Sequence, residues 1–270
     1  MKLSIWSSYY RDLSPEDAIL EFEKNGIRYC ELSDEHGLEL VKRGDVKNTG
    51  KAFGKFASEH NVSVEQGHLW LDCKVCTEEN AVEILKTWLD LFEAIGIKSA
   101  VLHCDPMVSA ENLSEKEKLD VNAEKMKILA DYIEGHSITI CLENMRIATR
   151  SVDDLLYVLD KVNSKNFGIC LDTGHLNCAG DADPVRFIRK AADKLKALHI
   201  ADNDRSADQH IMPFGRGNVD FVAVFRMLKE IGYDGLYNYE IPGESHCPPE
   251  IREYKLQYIK KCFEYLCSKS

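Results

Sequence analysis

Four side chains could together hold a divalent cation: Glu143, Asp172, His199 and Glu240. Each ends a short apolar or β-branched run, in Cys141-Leu142-Glu143-Asn144, Leu171-Asp172-Thr173-Gly174-His175, Leu198-His199-Ile200 and Tyr239-Glu240-Ile241. An ionised group after an apolar run is costly to bury unless it is paired, hydrogen-bonded or metal-bound. A single strand-end Asp reads most simply as a helix N-cap. That reading does not extend to six successive runs, because His68 and His103 close two earlier ones in the same way. Three carboxylates and one imidazole suit Mn, Co, Mg or Zn. The lack of a Cys ligand argues against a purely structural zinc site. Four protein ligands on a six-coordinate ion leave two places open, enough for two vicinal oxygens of a hydroxy-carbonyl substrate.

The elements that must position these groups alternate along the chain. Candidate strands are residues 3–6, 29–32, 63–66, 99–103, 138–143, 167–172, 197–200 and 235–241. Several are apolar on successive residues, as in Ala100-Val101-Leu102 and Ile169-Cys170-Leu171, which fits strands covered on both faces. Helices begin at Ser14-Pro15, Ser151-Val152-Asp153-Asp154, Asp183-Pro184 and Pro248-Pro249, each with a capping residue or a first-turn Pro. Asn25-Gly26 and Ile231-Gly232 supply stop signals. Eight strand-then-helix units predict a (β/α)8 TIM barrel, one domain over residues 1–270, with its active site at the C-terminal ends of the strands. A doubly wound open sheet lacks the G-x-G-x-x-G that would follow its first strand.

Composition bounds the partners. The chain has 270 residues and a formal net charge of −11. Such a surface repels phosphate backbones, so nucleic acid and anionic membranes are poor partners. No run approaches the roughly 20 apolar residues of a membrane span, and the N-terminus is too polar for a signal peptide. A cytoplasmic protein is expected. The ten cysteines fall mainly in strand-like runs or as a lone C-x2-C at Cys73 and Cys76, and read as free thiols.

The set Leu142-Glu143-Asn144, Leu171-Asp172-Thr173-Gly174-His175, His199-Ile200-Ala201-Asp202-Asn203, Pro213-Phe214-Gly215-Arg216-Gly217-Asn218-Val219-Asp220 and Tyr239-Glu240-Ile241 resembles the xylose isomerase-like TIM-barrel superfamily of sugar-phosphate isomerases and epimerases. The resemblance implies one divalent ion on Glu143, Asp172, His199 and Glu240, with Glu143 and Glu240 also serving as the acid/base pair. Carboxylates on opposite walls could take a proton from one face of a substrate and return it to the other. The ion would stabilise the enediolate between the two transfers. A small sugar or sugar-phosphate substrate is implied, with His175 on a substrate oxygen and His68, His103, His210, Arg216 and Trp6 as further contacts; Trp6, Trp70 and Phe214, at or near strand-end loops, could form an apolar wall over a sugar face. Sugar enzymes of the superfamily often read Pro-Gly-x-Gly where this chain has Pro213-Phe214-Gly215-Arg216-Gly217, in which Arg216 could bind a carboxylate or phosphate, and His210 occupies a slot held by Arg in ketose 3-epimerases. A homo-oligomer is also compatible with the resemblance.

Two other activities fit the same scaffold. An inosose-type dehydratase would use the same enolisation and then expel hydroxide. Asp208-Gln209-His210 also resembles the Asp-x-His of endonuclease IV, a three-zinc phosphodiesterase, and allows a second ion on His175, Asp208 and His210. The net charge and the acidic stretch Ser33-Asp34-Glu35-His36, expected as a loop after the second strand, count against a DNA substrate.

Overall fold

In the computed structural model, which describes residues 1–147, 149–179 and 183–269, the apolar runs form eight parallel strands. These are β1 (Lys2–Trp6), β2 (Tyr29–Leu32), β3 (Ser63–His68), β4 (Ser99–Leu102), β5 (Thr139–Glu143), β6 (Phe167–Asp172), β7 (Leu195–His199) and β8 (Leu236–Tyr239). The helices between and after them are α1 (Pro15–Lys24), α2 (Asp34–Lys42), α3 (Val46–Glu59), α4 (Ala81–Ile95), α5 (Glu115–Tyr132), α6 (Val152–Val162), α7 (Thr173–Cys178), α8 (Pro184–Ala191), α9 (Phe221–Glu230) and α10 (Pro249–Ser268).

Each strand pairs with the next, and β1 also pairs with β8. Ile200 closes the ring. Its N–H donates to the Asn238 carbonyl at 2.8 Å, and its own carbonyl accepts from Glu240 N at 3.1 Å. The result is the (β/α)8 barrel expected from the alternation. All ten cysteines are free. Among the described residues no helix is long and apolar enough to cross a membrane.

The helix starts have local causes. The Ser14 side chain accepts from Asp17 N at the head of α1, Ser151 and Asp154 form a capping box on α6, and Asp183 caps α8. Ser33-Asp34-Glu35-His36 is a helix start rather than a loop. Ser33 caps α2, and the two acids lie in its first turn, where the helix dipole favours negative charge. The simple alternation also missed that β2 is followed by two helices and β6 by the short α7 before α8.

Strand alternation sorts the barrel interior into layers. Residues such as Ala100, Ile140, Leu142, Ile169, Leu171 and Leu198 join the main core, which also contains the helices' apolar faces. Val101, Cys141, Cys170 and Ala197 form a separate, fully buried cluster. Two residues further along the same strands stand His103, Glu143, Asp172 and His199. On the other half of the barrel the corresponding layer is polar: Ser4, Glu31, Gln66 and Asn238 are all buried.

Outside the barrel, α3 lies very close to α4. A Cβ on Gly54 would sit 2.5 Å from the Ile95 carbonyl oxygen, and one on Gly50 would sit 2.7 Å from the Ala94 Cβ. Because the obstacle at Gly54 is backbone, only separation of the helices relieves it. Gly54→Val is therefore expected to lower the free energy of unfolding by about 2 kcal/mol or more, measured by urea titration. Wild-type stability in that variant would contradict the close packing.

Candidate metal centre

Seven of the eight strands deliver a polar or aromatic side chain to the barrel mouth. Trp6, His68, Glu143, Asp172 and His199 are the last residues of β1, β3, β5, β6 and β7, while His103 and Glu240 immediately follow β4 and β8. Glu143, Asp172, His199 and Glu240 are all buried, and each offers a ligand atom within 4.8 Å of the other three. The His199 Nδ1 lies 3.2 Å from Glu143 Oε2 and 3.4 Å from Glu240 Oε2.

The buried atoms without hydrogen-bond partners decide what this cluster fits. Asp172 Oδ2, His199 Nδ1 and Glu240 Oε2 are all buried and unpartnered. Leaving such groups unsatisfied costs several kcal/mol. Oxygen and nitrogen ligands sit about 2.0–2.2 Å from ions such as Zn or Mg, so atoms 4.8 Å apart or less need only a small contraction to share one ion. The donor set therefore fits a divalent cation. Asp172 serves two purposes at once. Its Oδ1 accepts from His175 N at 2.6 Å and caps α7, while Oδ2 remains for the ion.

Further histidines ring the cluster. The His103 Nε2 lies 3.1 Å from Glu143 Oε2 and 3.2 Å from His68 Nε2, while His68 Nδ1 is fixed by the Leu69 carbonyl at 2.6 Å. His175 faces Glu143 Oε1 at 3.0 Å through Nδ1 and Asp208 Oδ2 at 2.9 Å through Nε2. The other Asp208 oxygen is 3.2 Å from His210 Nε2, and His210 Nδ1 donates to the Glu240 carbonyl at 2.8 Å. His68, His103 and Glu143 form a second group able to hold an ion, and Asp172, His175 and His210 a third. Asp208, expected to share a second ion with His175 and His210, lies between these two imidazoles.

The charge balance points the same way. Burial alone lowers the pKa of His175, but Asp172, Asp208 and Glu143 overcome it and raise it to about 12. Burial likewise opposes protonation of His210, yet Glu240 and Asp208 raise it to about 10. Burial raises Glu240, and neither His199 nor His210 cancels that shift. In the metal-free protein, protons thus supply positive charge that a cation would otherwise bring.

A cavity of about 370 Å³ opens over this cluster, with Trp6, Leu71 and Pro242 as its apolar wall. That size suits a small molecule. Arg11 is the one Arg or Lys that lines it among the described residues. A larger groove, about 560 Å³, lies near Leu156, Asn163, Lys165 and Lys194 at the start of β6 and β7, and among the described residues it has no such cluster. The remaining expected contacts lie as follows. His68, His103, His175, His210 and Trp6 line the cavity. Arg216 does not; its side chain is 69% exposed and 4.0 Å from Asp204. Trp70 stacks on Trp88, and Phe214 packs edge-on against Phe221 and Tyr265.

Several supporting residues were not anticipated. The Asn144 side chain accepts from Asp172 N at 2.8 Å and donates to Asp172 O at 3.0 Å, locking β5 to β6 beside Glu143 and Asp172. Thr149 Oγ1 donates to the Glu143 carbonyl at 2.9 Å. Glu31, fully buried in β2, lies 3.0 Å from His199 Nε2. Its signal was available in Cys30-Glu31-Leu32, a charged residue inside an otherwise apolar strand. The segment from Pro213 to Asp220 acts mainly through its backbone. Asp202 Oδ1 accepts from Asn203 N and Val219 N, and Gly217 passes so close that a Cβ would lie 2.1 Å from Asp202.

Parallel strands closed into a barrel, with acids and imidazoles gathered at the C-terminal mouth, define a TIM-barrel protein with an enzyme-like cleft. A family model described as xylose isomerase-like TIM barrel matches residues 20–262, and the chain belongs to that family. It is 29% identical over 176 residues to an L-ribulose 3-epimerase of Methylomonas sp., covering 63% of this chain and 58% of that enzyme. It is 27% identical to a ketose 3-epimerase of Arthrobacter globiformis, covering 85% of this chain and 82% of the other. A probable endonuclease 4 of Mycoplasmopsis pulmonis is 24% identical, with 82% of this chain and 84% of that protein covered. Among solved structures, a D-tagatose 3-epimerase-like protein superposes with a TM-score of 0.81 over 100% of this chain and 99% of its own, at 22% identity, a likeness of fold.

Asp172→Asn separates the two duties of that side chain. The amide oxygen can still cap α7, so the melting temperature of the chelated protein should stay within a few degrees of wild type. Affinity for Mn should fall by more than the roughly 10–100-fold typical of a supporting residue, measured by calorimetric titration. Unchanged Mn affinity would remove Asp172 from the ligand set.

Proposed function

We propose that the protein is a divalent-metal-dependent sugar or sugar-phosphate isomerase or epimerase that moves a proton on a carbon next to the carbonyl. The observation that carries this reading is the convergence of Glu143 and Glu240, from the ends of β5 and β8, on one cluster beneath a cavity of small-molecule size. The ketose 3-epimerase relatives support epimerisation in particular.

Glu143, Asp172, His199 and Glu240 would hold the ion. When bound, it supplies Lewis-acid polarisation of the substrate carbonyl and stabilises the negative charge that develops there. The protein's own residues do the rest. One glutamate takes the proton from the carbon beside the carbonyl, and the other delivers a proton to the opposite face. His175, held between Glu143 and Asp208, presents a fixed imidazole to a substrate oxygen. Trp6, Leu71 and Pro242 cover the apolar face of the sugar and exclude water.

A second reading, metal-assisted phosphodiester cleavage, has one observation in its favour. The groups His68–His103–Glu143 and Asp172–His175–His210 flank the first cluster, as a multi-ion site requires. The net charge of −11 and a cavity lined, among the described residues, by Arg11 as its one Arg or Lys oppose a DNA substrate.

Three results are expected. Chelation abolishes epimerisation of a keto-sugar, and Mn, Co or Mg restores it. In deuterated water the product carries deuterium at the carbon next to the carbonyl, read by NMR, whereas transfer without exchange would point to a hydride shift and defeat the two-glutamate reading. Glu143→Gln and Glu240→Gln each lower kcat by about 10²–10⁴-fold at saturating metal. Elemental analysis separates the readings: about one ion per chain favours the sugar enzyme, and three zincs favour the phosphodiesterase.

A further inference from the structure

Glu31 is a buried acid that the proposed reaction does not use. Its side chain is inaccessible to solvent, and among the described residues no Lys or Arg is paired with it. One oxygen, Oε1, lies 3.0 Å from His199 Nε2. The other, Oε2, accepts a hydrogen bond from Asn238 Nδ2. The Asn238 Oδ1 in turn accepts from Ser4 Oγ at 2.8 Å. The chain Ser4–Asn238–Glu31–His199 links β1, β8, β2 and β7 across the barrel interior, and its first three members lie below the cluster that faces the cavity.

The orientation of each member is fixed by donor and acceptor count. Asn238 must turn its amide nitrogen towards the Glu31 carboxylate, which leaves its oxygen facing Ser4, where the hydroxyl donates. A carboxylate has only acceptors. The bond to His199 therefore requires a proton on Nε2. In the neutral imidazole that leaves Nδ1 bare. Nδ1 is the buried, unpartnered nitrogen that lies 3.2 Å from Glu143 and 3.4 Å from Glu240.

We infer that Glu31 is a positioning residue. Through the Ser4–Asn238 relay it fixes the tautomer and ring orientation of His199, so that Nδ1 is presented to the cation. The inference rests on the proposed metal-dependent reading but concerns how the ion is held, not which sugar is turned over. Its buried negative charge also makes the imidazole a stronger donor. Glu31 does not touch substrate, because His199 and the cluster lie between it and the cavity.

Two measurements on the whole protein test this. The first is the tautomer of His199 in the Zn-loaded, ¹⁵N-histidine-labelled protein, assigned by the resonance lost in His199→Gln. A protonated Nε2 coupled to a slowly exchanging proton, with a bare Nδ1 bound to Zn, is expected. A protonated Nδ1 overturns the inference. The second is Mn affinity. Glu31→Leu removes the acceptor of the His199 Nε2 proton and is expected to weaken Mn binding by about 10–100-fold. Glu31→Gln keeps an acceptor, because Asn238 can turn its amide over, its oxygen accepting from the introduced NH₂ and its own NH₂ donating to the Ser4 hydroxyl. The oxygen of the introduced amide then faces His199, and the loss should be smaller. Wild-type Mn affinity in a folded Glu31→Leu, or a loss in a folded Glu31→Gln as large as in Glu31→Leu, overturns the inference. A wild-type protein that binds Mn through His199 Nδ1 yet epimerises no sugar would defeat the proposed activity alone.

Discussion

The central constraint on this structure is electrostatic. Four carboxylates, Glu31, Glu143, Asp172 and Glu240, are buried together in the upper half of the barrel, and among the described residues none of them forms an ion pair with Lys or Arg. Like charges at this spacing repel strongly in a medium of low dielectric. Imidazoles offset the charge in the metal-free chain, and four of them, His68, His175, His199 and His210, are drawn towards protonation. A divalent ion satisfies the same demand with fewer protons and gives the unpartnered atoms of Asp172, His199 and Glu240 a common partner.

The barrel supplies the rigidity that such a cluster needs. Parallel pairing fixes Glu143 beside Cys170 and Asp172 beside His199. The closing bridge at Ile200 comes one residue after His199 and bonds directly to Glu240 N. Two of the four cluster residues are thus placed by the same hydrogen bonds that complete the ring. Small residues in the layer below, Cys141, Cys170 and Ala197, leave the strands close enough together for their next interior side chains to meet.

The sequence made the strands, their polar last residues and many helix starts legible, because each is a local signal. Apolar runs of fixed length, Ser and Asp caps, and an acid at the end of a strand all act within a few positions. What it hid depends on neighbours distant in the chain. Glu31 meets His199 across the barrel, a separation of 168 residues, and no local pattern announces that pairing. Asn144 stood in the run Leu142-Glu143-Asn144 with no role assigned, yet it binds both main-chain groups of Asp172. Arg216 stands exposed beside Asp204 and outside the lining of the cavity, and Trp70 stacks on Trp88, placements set by neighbours distant in the chain. The acids after β2 were misread as a loop because their role is to start a helix.

The segment after β7 divides its labour. Its base is stitched down by Asp202, Asn203, Asn177 and Asn218, through bonds to one another and to backbone. Asp208 and His210, which reach the cavity, belong to the stretch between those stitches. Side chains at the tip can therefore be exchanged without loosening the seam that holds it. A scaffold built this way lets descent vary what meets the cavity while the frame and its buried acid–imidazole cluster are inherited intact.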